Sequence, residues 1–267
     1  MHNWRPEKYE RSSSAQKLWA EELIRKIEIK GRERVLDIGC GDGKITASIA
    51  GLLTKGSVLG IDSSKEMVRF AKDKFPPGSH KNLRFMEADA RDLRFDEEFD
   101  LVVSFATLHW VGDHGPVLRG IRRALKPKGR IFLQFGGRGN AAAPLKIADE
   151  MTGEDRWRSY FGGFDFRYGF FGPEEYRAWL EEAGLMPQRV ELIPKDMVQK
   201  DSKAFAGWIE TTWHPYLERV PEELRREFIA EIVDRYLQQH PADDGGRVHV
   251  GMMRLEVVAE KGQSWRG

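Results

Sequence analysis

The sequence predicts an α/β fold built on a doubly wound, mostly parallel sheet of seven strands. The alternation of two kinds of segment supports this prediction. Short and almost continuously apolar segments alternate with segments whose apolar residues recur at helical spacing. Buried parallel strands that are covered by helices on both faces show this alternation. Ligands of such sheets bind beyond the carboxyl ends of the strands, where the strand order reverses, so the residues that end the strands are the first candidates for a site.

The first half of the chain supplies five of the strands. A helix over residues 18–27, with candidate caps at Ser12, Ser13 and Ser14, precedes a first strand at 34–38. The next predicted elements are a helix carrying Ile45, Ile49 and Leu52, a strand at 57–61 that ends at Asp62, a helix at 66–75 stopped by Pro76 and Pro77, strands at 83–87 and 100–105, a helix at 115–125 closed by a turn at 126–129, and a strand at 129–135.

The second half completes the sheet but carries additions. A helix at 174–183 ends at Gly184, and strands are predicted at 189–193 and 254–258. Residues 137–171 and 202–245 do not fit the alternation, and the second of these segments contains an amphipathic helix marked by Leu224, Phe228, Ile232 and Tyr236. We expect both segments to be helical insertions that form a lid over the carboxyl edge of the sheet.

Composition excludes several classes of protein. The chain has 43 Lys and Arg against 42 Asp and Glu, a formal net charge of +1, which disfavours a general binder of nucleic acid or of membrane surfaces. The sequence shows neither a signal peptide nor an apolar run of membrane-spanning length. The single cysteine, Cys40, fits a cytoplasmic protein, and no spacing of His, Cys, Asp or Glu predicts a metal site.

The loop after the first strand predicts a cofactor site. Gly39, Gly41 and Gly43 open a helix directly after a strand, which is typical of nucleotide-binding loops as well as of ordinary β-to-α turns. Lys44 stands where the dinucleotide fingerprint has its third glycine. The carboxylates of Asp37 and Asp42 disfavour a pyrophosphate by like-charge repulsion. A cofactor without phosphates and with cationic groups fits better, and S-adenosylmethionine is such a cofactor.

Carboxylates at the next two strand ends extend this site. Asp62 follows Asp37 by 25 residues and is placed to accept both ribose hydroxyls, although it could instead cap the helix that begins near Glu66. Asp89, followed by Ala90, is placed to accept the exocyclic amine of adenine. Met67 could pack on the adenine face or belong to the core.

These motifs resemble those of class I S-adenosylmethionine-dependent methyltransferases, in order, over about residues 30–135. The matching segments are Val-Leu-Asp-Ile-Gly-Cys-Gly-Asp-Gly at 35–43, Gly-Ile-Asp-Ser-Ser-Lys-Glu-Met at 60–67, Glu-Ala-Asp-Ala at 87–90, Phe-Asp-Leu-Val-Val-Ser at 99–104 and Leu-Lys-Pro-Lys-Gly-Arg at 125–130. Within the class, residues 14–16, 19–20, 108–111 and 207–216 resemble the trans-aconitate and juvenile hormone acid methyltransferase group, whose members methylate small carboxylic acids.

The resemblance implies a Rossmann-like class I methyltransferase fold and S-adenosylmethionine as cofactor, with S-adenosylhomocysteine as product. It places the cofactor against Asp37, Gly39, Cys40, Gly41, Asp62, Ser63, Met67, Asp89, Ala90, Ser104, Phe105 and His109. It also implies that Gln16 and Trp110 donate hydrogen bonds to the substrate carboxylate. Alternatively, Gln16 lies on a solvated helix face and Trp110 belongs to the core.

Chemistry permits this pair, because a carboxylate is ionised at neutral pH and needs no general base. His109 would matter more for a hydroxyl, amine or carbon acceptor, where it could act as a base, but it could also simply bind the cofactor or the backbone.

A module that binds S-adenosylmethionine without catalysis is a further alternative. Lys44 and Asp37 oppose a dinucleotide oxidoreductase, and Ser-Phe-Ala-Thr at 104–107 differs from the Asn/Asp-Pro-Pro-aromatic motif of nucleic-acid methyltransferases.

The first predicted insertion bears on the choice of substrate. Eight of the fifteen residues from Trp157 to Phe171 are aromatic, which favours either an apolar tunnel for a lipophilic acid or a set of anchors to the core. A tricarboxylate such as aconitate would require bidentate arginines, for which Arg138, Arg156, Arg158 and Arg167 are candidates.

We therefore expect residues 1–267 to form a single methyltransferase domain, acting as a monomer or homodimer on a small molecule, without nucleic acid or membrane partners. Residues 1–30 would be an N-terminal helical segment over the active site and residues 31–136 the cofactor-binding core. Residues 137–171 and 202–245 would be the lid insertions. Residues 172–201 and 246–260 would supply the remaining helix and strands.

Overall fold

The computed structural model describes residues 22–262, which contain one seven-stranded sheet. Its strands are β1 (Arg34–Ile38), β2 (Ser57–Asp62), β3 (Leu83–Glu87), β4 (Phe99–Phe105), β5 (Leu125–Gly136), β6 (Leu185–Gln199) and β7 (Val248–Lys261). Their order across the sheet is β3-β2-β1-β4-β5-β7-β6. Strands β1 to β5 pair in parallel, whereas β7 is antiparallel to β5. The predicted doubly wound, Rossmann-like class I fold is confirmed, with its reversal of strand order between β1 and β4.

The helices between the strands are α1 (Lys44–Leu52), α2 (Lys65–Lys74), α3 (Gly115–Ala124), α4 (Ala142–Thr152), α5 (Pro173–Glu182), α6 (Ser202–Thr212), α7 (His214–Leu217) and α8 (Arg225–Gln239). Single 3-10 turns occur at Leu108–Trp110, Arg158–Tyr160 and Glu222–Leu224. Residues 22–26 are also helical. The rest of the predicted N-terminal helix and its serine caps lie outside the described residues. Within residues 22–262, every helix falls short of the length and apolarity that a bilayer crossing requires.

Two apolar layers cover opposite faces of the sheet, because successive strand residues point to opposite sides. Val35 belongs to a cluster that includes Leu23 and Ile27 and residues of α1 and α2. Its neighbours Leu36 and Ile38 belong to a second cluster with residues of α3 and α5. All of these strand residues are almost completely buried. The near-continuous hydrophobicity that predicted parallel strands therefore arises from burial on both faces.

Three strands differ from their predicted bounds. The predicted turn at 126–129 is wrong as a separate element, because β5 already begins at Leu125. The turn residues instead form an irregularity within the ladder: Phe99 pairs with Leu125, but Leu101 pairs with Arg130, and Lys128 has a φ of 62°. Strands β6 and β7 extend well beyond 189–193 and 254–258, through segments whose polar residues had concealed the strand pattern.

The described chain divides into two compact units. Unit 1 holds the described residues up to Arg138, Tyr168–Ile193 and the described residues from Arg254 onward. Unit 2 holds Gly139–Arg167 and Pro194–Met253. The two segments that make up unit 2 overlap the predicted insertions at 137–171 and 202–245. The boundaries differ because the last residues of β6 and the first residues of β7 belong to unit 2. The role of these segments as a lid stays a prediction.

Aromatic packing and ion pairs hold unit 2 together. Trp157, which is 1% exposed, meets the Phe228 ring edge-on at a centroid distance of 5.0 Å, and its indole N–H donates to Glu231 at 2.9 Å. Arg235, on α8, pairs with Glu154, which follows the end of α4, and with Glu231, which is also on α8. The predicted amphipathic helix is confirmed as α8, which buries Phe228, Ile229, Ile232, Val233 and Tyr236.

Candidate active site

The glycine loop joins β1 to α1 at the carboxyl edge of the sheet. Gly39, Gly41 and Gly43 all have positive φ angles, of 76°, 52° and 79°. The backbone amides of Gly39 and Cys40 donate to the Ile61 carbonyl at 2.7 and 2.9 Å, so the loop is tied to the end of β2. Left-handed backbone at three alternate positions is inexpensive only for glycine. The sequence pattern thus encodes a specific loop shape.

A second loop, which follows β4, packs against the glycine loop. The Thr107 hydroxyl donates to the Gly39 carbonyl at 3.1 Å, and a Cβ atom on Gly39 would come within 2.1 Å of the Thr107 side chain. The buried Ser104 hydroxyl donates to the Ile38 carbonyl at 2.8 Å. The predicted contact of Ser104 with the cofactor stays a prediction. Thr107 was not predicted as a site residue, because no motif marks it individually.

Two carboxylates lie at the ends of β1 and β2. Asp37 is 2% exposed and accepts from the Thr46 hydroxyl at 2.7 Å. Burial, together with the charge of Asp62, raises the pKa of Asp37 to about 7. Asp62 accepts from the backbone amides of Gly41 at 3.0 Å and Ser64 at 2.9 Å, and burial raises its pKa as well.

The alternative that Asp62 caps the following helix is wrong. Ser64 is the N-cap residue of α2, because its hydroxyl accepts from the Met67 amide at 3.2 Å. Asp42 also differs from expectation. It is buried and forms ion pairs with Lys44 at 3.0 Å and Lys74 at 3.8 Å, so its charge is compensated. Of these two carboxylates, Asp37 is therefore the one that disfavours a pyrophosphate.

The chemistry of this donor set fits the predicted cofactor. Among residues 22–262, no lysine or arginine forms an ion pair with Asp37 or Asp62. A desolvated carboxylate whose pKa is raised gains stability from a cation or from hydroxyl donors. Asp37 would hold the amino group of S-adenosylmethionine, and Asp62 would hold its ribose hydroxyls.

The other predicted cofactor residues surround this loop with different exposures. Cys40 and Phe105 are buried in one apolar cluster, and burial raises the pKa of the Cys40 thiol. Met67 is 3% exposed, whereas Ser63 is exposed. Asp89 is partly buried and engaged by Arg91 through a bidentate contact of 2.6 to 3.2 Å, next to the partly buried Ala90. Their assignment to the cofactor stays a prediction.

The predicted acceptor residues occupy the 3-10 turn Leu108–Trp110. His109 Nδ1 accepts from the Gly136 amide at 3.3 Å, and burial lowers the pKa of His109 to about 3. The Trp110 ring contacts the Tyr168 ring at a centroid distance of 5.3 Å, and Tyr168 stacks on Phe170 at 4.9 Å. Gln16, the second predicted donor, lies outside the described residues.

The aromatic segment 157–171 contributes packing residues to both units, and its role as an apolar tunnel for a substrate stays a prediction. Trp157 and Phe161 are buried anchors within unit 2, whereas Tyr168, Phe170 and Phe171 pack in unit 1. Within unit 1, Phe170 lies 5.9 Å from His109, between ring centroids, and Phe171 lies 4.8 Å from His114. His114, a buried histidine directly before α3, was not predicted as a site residue, because no motif marks it.

Three of the four candidate arginines are held by carboxylates. Arg138 pairs with Glu174 and Glu175, at 3.6 and 2.6 Å. Arg156 pairs with Glu227 and Glu231, and Arg158 pairs with Asp155. The fourth, Arg167, donates to the Phe166 carbonyl at 3.2 Å.

Comparison with known proteins agrees with this geometry. A methyltransferase-domain family model matches residues 36–133, the segment from β1 to β5 that forms the glycine loop and its neighbours. Trans-aconitate 2-methyltransferase of Variovorax paradoxus is 27% identical over 265 residues, covering 98% of this chain and 99% of the relative. The enzyme of that name from Shigella flexneri serotype 5b is 26% identical over 267 residues, with the same two coverages.

Solved structures share the fold at low identity. Phosphoethanolamine N-methyltransferase 2 of Haemonchus contortus, in complex with S-adenosyl-L-methionine, matches with a TM-score of 0.60 and 18% identity, covering 97% of this chain and 57% of that chain. Domain match, full-length relatives, strand order and cofactor loop agree with one another. The chain is a class I S-adenosylmethionine-dependent methyltransferase.

Proposed function

We propose that this enzyme methylates a carboxylate of a small organic acid and releases a methyl ester. One observation carries the proposal: His109, the candidate base beside Trp110, has a pKa lowered to about 3, and its Nδ1 already accepts a backbone N–H. A hydroxyl or amine acceptor requires a base whose pKa lies near the working pH. A carboxylate requires none, because it is ionised at neutral pH.

The residues of the chain would act mainly by orientation. The sulfonium of S-adenosylmethionine, when bound, makes its methyl group electrophilic. The indole N–H of Trp110 would donate to the acceptor carboxylate, together with the amide of Gln16, and both donors are neutral. Neutral donors hold a carboxylate in place without cancelling the negative charge that makes it a nucleophile. Holding reacting groups in line accounts for much of the barrier reduction in such transfers.

The side chains near Trp110 support an acid with an apolar body over a tricarboxylate. A cluster of ring contacts surrounds Trp110, formed by the side chains of Tyr168, Phe170 and His109. Arg138, Arg156 and Arg158 are already paired with carboxylates, so binding a tricarboxylate through them would require those ion pairs to break. The full-length similarity to trans-aconitate 2-methyltransferases supports a carboxylic acid, and the rings beside Trp110 favour one with an apolar body.

Methyl transfer from labelled cofactor to a panel of acids tests the proposal. The panel contains aconitate, a medium-chain fatty acid, an isoprenoid acid and an aromatic acid, each beside its matching alcohol and amine. We expect labelled product from at least one apolar acid, with release of the label as methanol in mild base, as for an ester. Base-stable product from the alcohol or amine would contradict the proposal, and binding of cofactor without transfer to any acceptor would indicate a non-catalytic module.

Variants of the turn separate orientation from base catalysis. Trp110→Phe keeps a ring but removes the indole donor, and we expect turnover to fall by about 10- to 100-fold, with cofactor affinity within about twofold of wild type. His109→Gln serves as the comparison. If His109 were an obligatory base, its removal would lower turnover about 10²- to 10⁴-fold. The rate of the wild-type enzyme would also fall below a pKa near 6.5. We expect a smaller loss and, at saturating S-adenosylmethionine, a rate that is flat between pH 6 and 8.

A further inference from the structure

His114 lies four residues beyond the turn that carries His109 and Trp110, and it is 1% exposed. Its Nε2 lies 2.9 Å from the Leu108 carbonyl oxygen, which can only accept, so Nε2 carries the proton and donates. Its Nδ1 lies 3.1 Å from the Tyr176 hydroxyl. In a neutral ring of this tautomer, Nδ1 accepts, so the Tyr176 hydroxyl is the donor. Burial lowers the pKa of His114, which favours the neutral ring.

Aromatic rings fix the His114 imidazole in this orientation. The Phe171, Phe135 and Tyr176 rings each lie edge-on or steeply inclined to it, at centroid distances of 4.8, 5.3 and 5.5 Å. Tyr176 is fully buried on α5, and Phe135 is fully buried on β5. The imidazole therefore links the turn after β4 to two rigid elements.

The same turn is held at two further points. The Gly169 amide donates to the His109 carbonyl at 2.8 Å, and the Gly136 amide donates to His109 Nδ1 at 3.3 Å. A Cβ atom at Gly169 would lie 2.4 Å from the Val111 carbonyl oxygen and 3.3 Å from His114 Nε2. The backbone at Gly169 approaches the turn and the His114 ring too closely for any side chain.

We propose that His114 and Tyr176 are positioning residues for methyl transfer, which hold the Leu108–Trp110 turn so that the Trp110 indole keeps one orientation toward the acceptor. The inference rests on the acceptor role of Trp110 given under the proposed function. His114 acts through the Leu108 carbonyl and need not touch substrate or cofactor. A displacement of about 1 Å in a positioned group can cost about 10²-fold in rate, so a small loosening of this turn is measurable.

Kinetics of His114→Gln and Tyr176→Phe test this role. For His114→Gln we expect kcat to fall by about 10- to 100-fold, with the KM for the acid and the Kd for S-adenosylmethionine within about threefold of wild type. Tyr176→Phe removes only one hydroxyl, and we expect kcat to fall by about three- to tenfold. Should the first variant fail to fold, the second carries the test. All variants are assayed at a temperature at which each is fully folded.

Asn82→Ala is the matched control. The Asn82 amide donates to the Ala50 and Leu53 carbonyls at 2.8 and 2.9 Å, just before β3 and at the opposite end of the sheet from the glycine loop. Asn82→Ala, like His114→Gln, alters hydrogen bonds that a side chain donates to backbone carbonyls. We expect its thermal stability to fall while its kcat stays unchanged. An unchanged kcat in both His114→Gln and Tyr176→Phe, or an equal fall in Asn82→Ala, would overturn the inference.

Hydrogen exchange provides a second measurement that needs no substrate. In both site variants we expect peptides covering residues 106–111 and 168–171 to exchange faster than in wild type, while a peptide covering β3 is unchanged. Faster exchange everywhere would indicate a merely structural role. If no acid in the panel is methylated, the ester proposal fails while the exchange data still test the positioning. If esters form and neither kcat nor exchange changes, the positioning role fails and the ester proposal stands.

Discussion

Asp37 shows how strongly the surroundings of one residue set its chemistry. Its carboxyl is buried, accepts a hydrogen bond from Thr46 and lies near the charge of Asp62. Burial raises its pKa to about 7, so the ionised and protonated forms are similarly populated near neutral pH. An ammonium group bound at this carboxylate would stabilise the ionised form.

The affinity for S-adenosylmethionine should consequently depend on pH. Binding through the amino group requires ionised Asp37, and with a pKa of about 7 the ionised fraction falls about tenfold from pH 8 to pH 6. We expect Kd, measured by calorimetry, to be about tenfold weaker at pH 6 than at pH 8. Asp37→Asn is the control, with weak binding that does not change over this range. A constant Kd in the wild-type protein would contradict the assignment of Asp37.

Gly39 provides a steric test of the same loop. A Cβ atom would meet the Thr107 side chain at 2.1 to 2.5 Å, and the φ of 76° is unfavourable for any other residue. We expect Gly39→Ala to lower the free energy of unfolding by about 1–3 kcal/mol and to abolish measurable cofactor binding.

Gly51→Ala is the matched control, because Gly51 lies within α1 and a Cβ atom there meets no atom within 4 Å. Replacing a helical glycine by alanine should stabilise the protein by about 0.5–1 kcal/mol. Urea unfolding of both variants measures whether the free energy of unfolding falls in Gly39→Ala and rises in Gly51→Ala. A fall in Gly51→Ala as well would show that the loss of any glycine, and not the contact with Thr107, destabilises the protein.

At the scale of elements, a buried ion cluster joins β7 to its neighbours. Glu256, on β7, is fully buried and lies 2.5 Å from Arg254, 3.2 Å from Arg189 on β6 and 3.5 Å from Lys26 in the helical residues 22–26. Arg254 is itself 2% exposed. Arg254 also pairs with Glu22 at 3.2 Å, so removing Glu256 leaves the buried Arg254 charge only partly compensated.

We therefore expect Glu256→Gln to lower the free energy of unfolding by about 3–5 kcal/mol, measured by urea denaturation. The double variant Arg254→Met, Glu256→Leu removes both charges and should recover most of the loss. Asp92→Asn breaks the exposed ion pair with Arg94 and should change nothing measurable. A Glu256→Gln variant as stable as the wild type would show that the cluster does not hold these elements together.

Strands β1, β2 and β4 were predictable to within a residue or two because both of their faces are largely buried, so each appears as a short apolar block. Strand β3, at the edge of the described sheet, instead alternates the buried Leu83 and Phe85 with exposed residues. Strands β6 and β7 were longer than predicted, since exposed positions along them carry polar residues that break the block. The irregularity in β5 was hidden for another reason. Pro127 and Gly129 are typical of a turn, and only the pairing with β4 shows that the strand continues through them.

At the scale of the whole molecule, the balance of 43 basic and 42 acidic residues leaves little long-range field. Without such a field, an anionic substrate is not steered toward the enzyme from a distance. We expect kcat/KM for a monoanionic acid to change by less than about threefold between 20 and 300 mM NaCl, at concentrations where the Debye length shortens from about 20 to 6 Å. A loss of tenfold or more would instead indicate a concentrated patch of positive charge at the site.

The sequence by itself determined the parallel sheet, the strand ends that carry Asp37 and Asp62, and the methyltransferase class, because these depend on local patterns of hydrophobicity, glycine spacing and charge. Tertiary structure decided what no local pattern encodes. It joined Thr107 to Gly39, paired Arg138 with Glu175, and brought Gly169 and Tyr176 to the turn at Leu108–Trp110 from 60 or more residues away. Burial and these distant partners also set the pKa values of Asp37 and His109, because desolvation is a property of the folded surroundings and not of the residue.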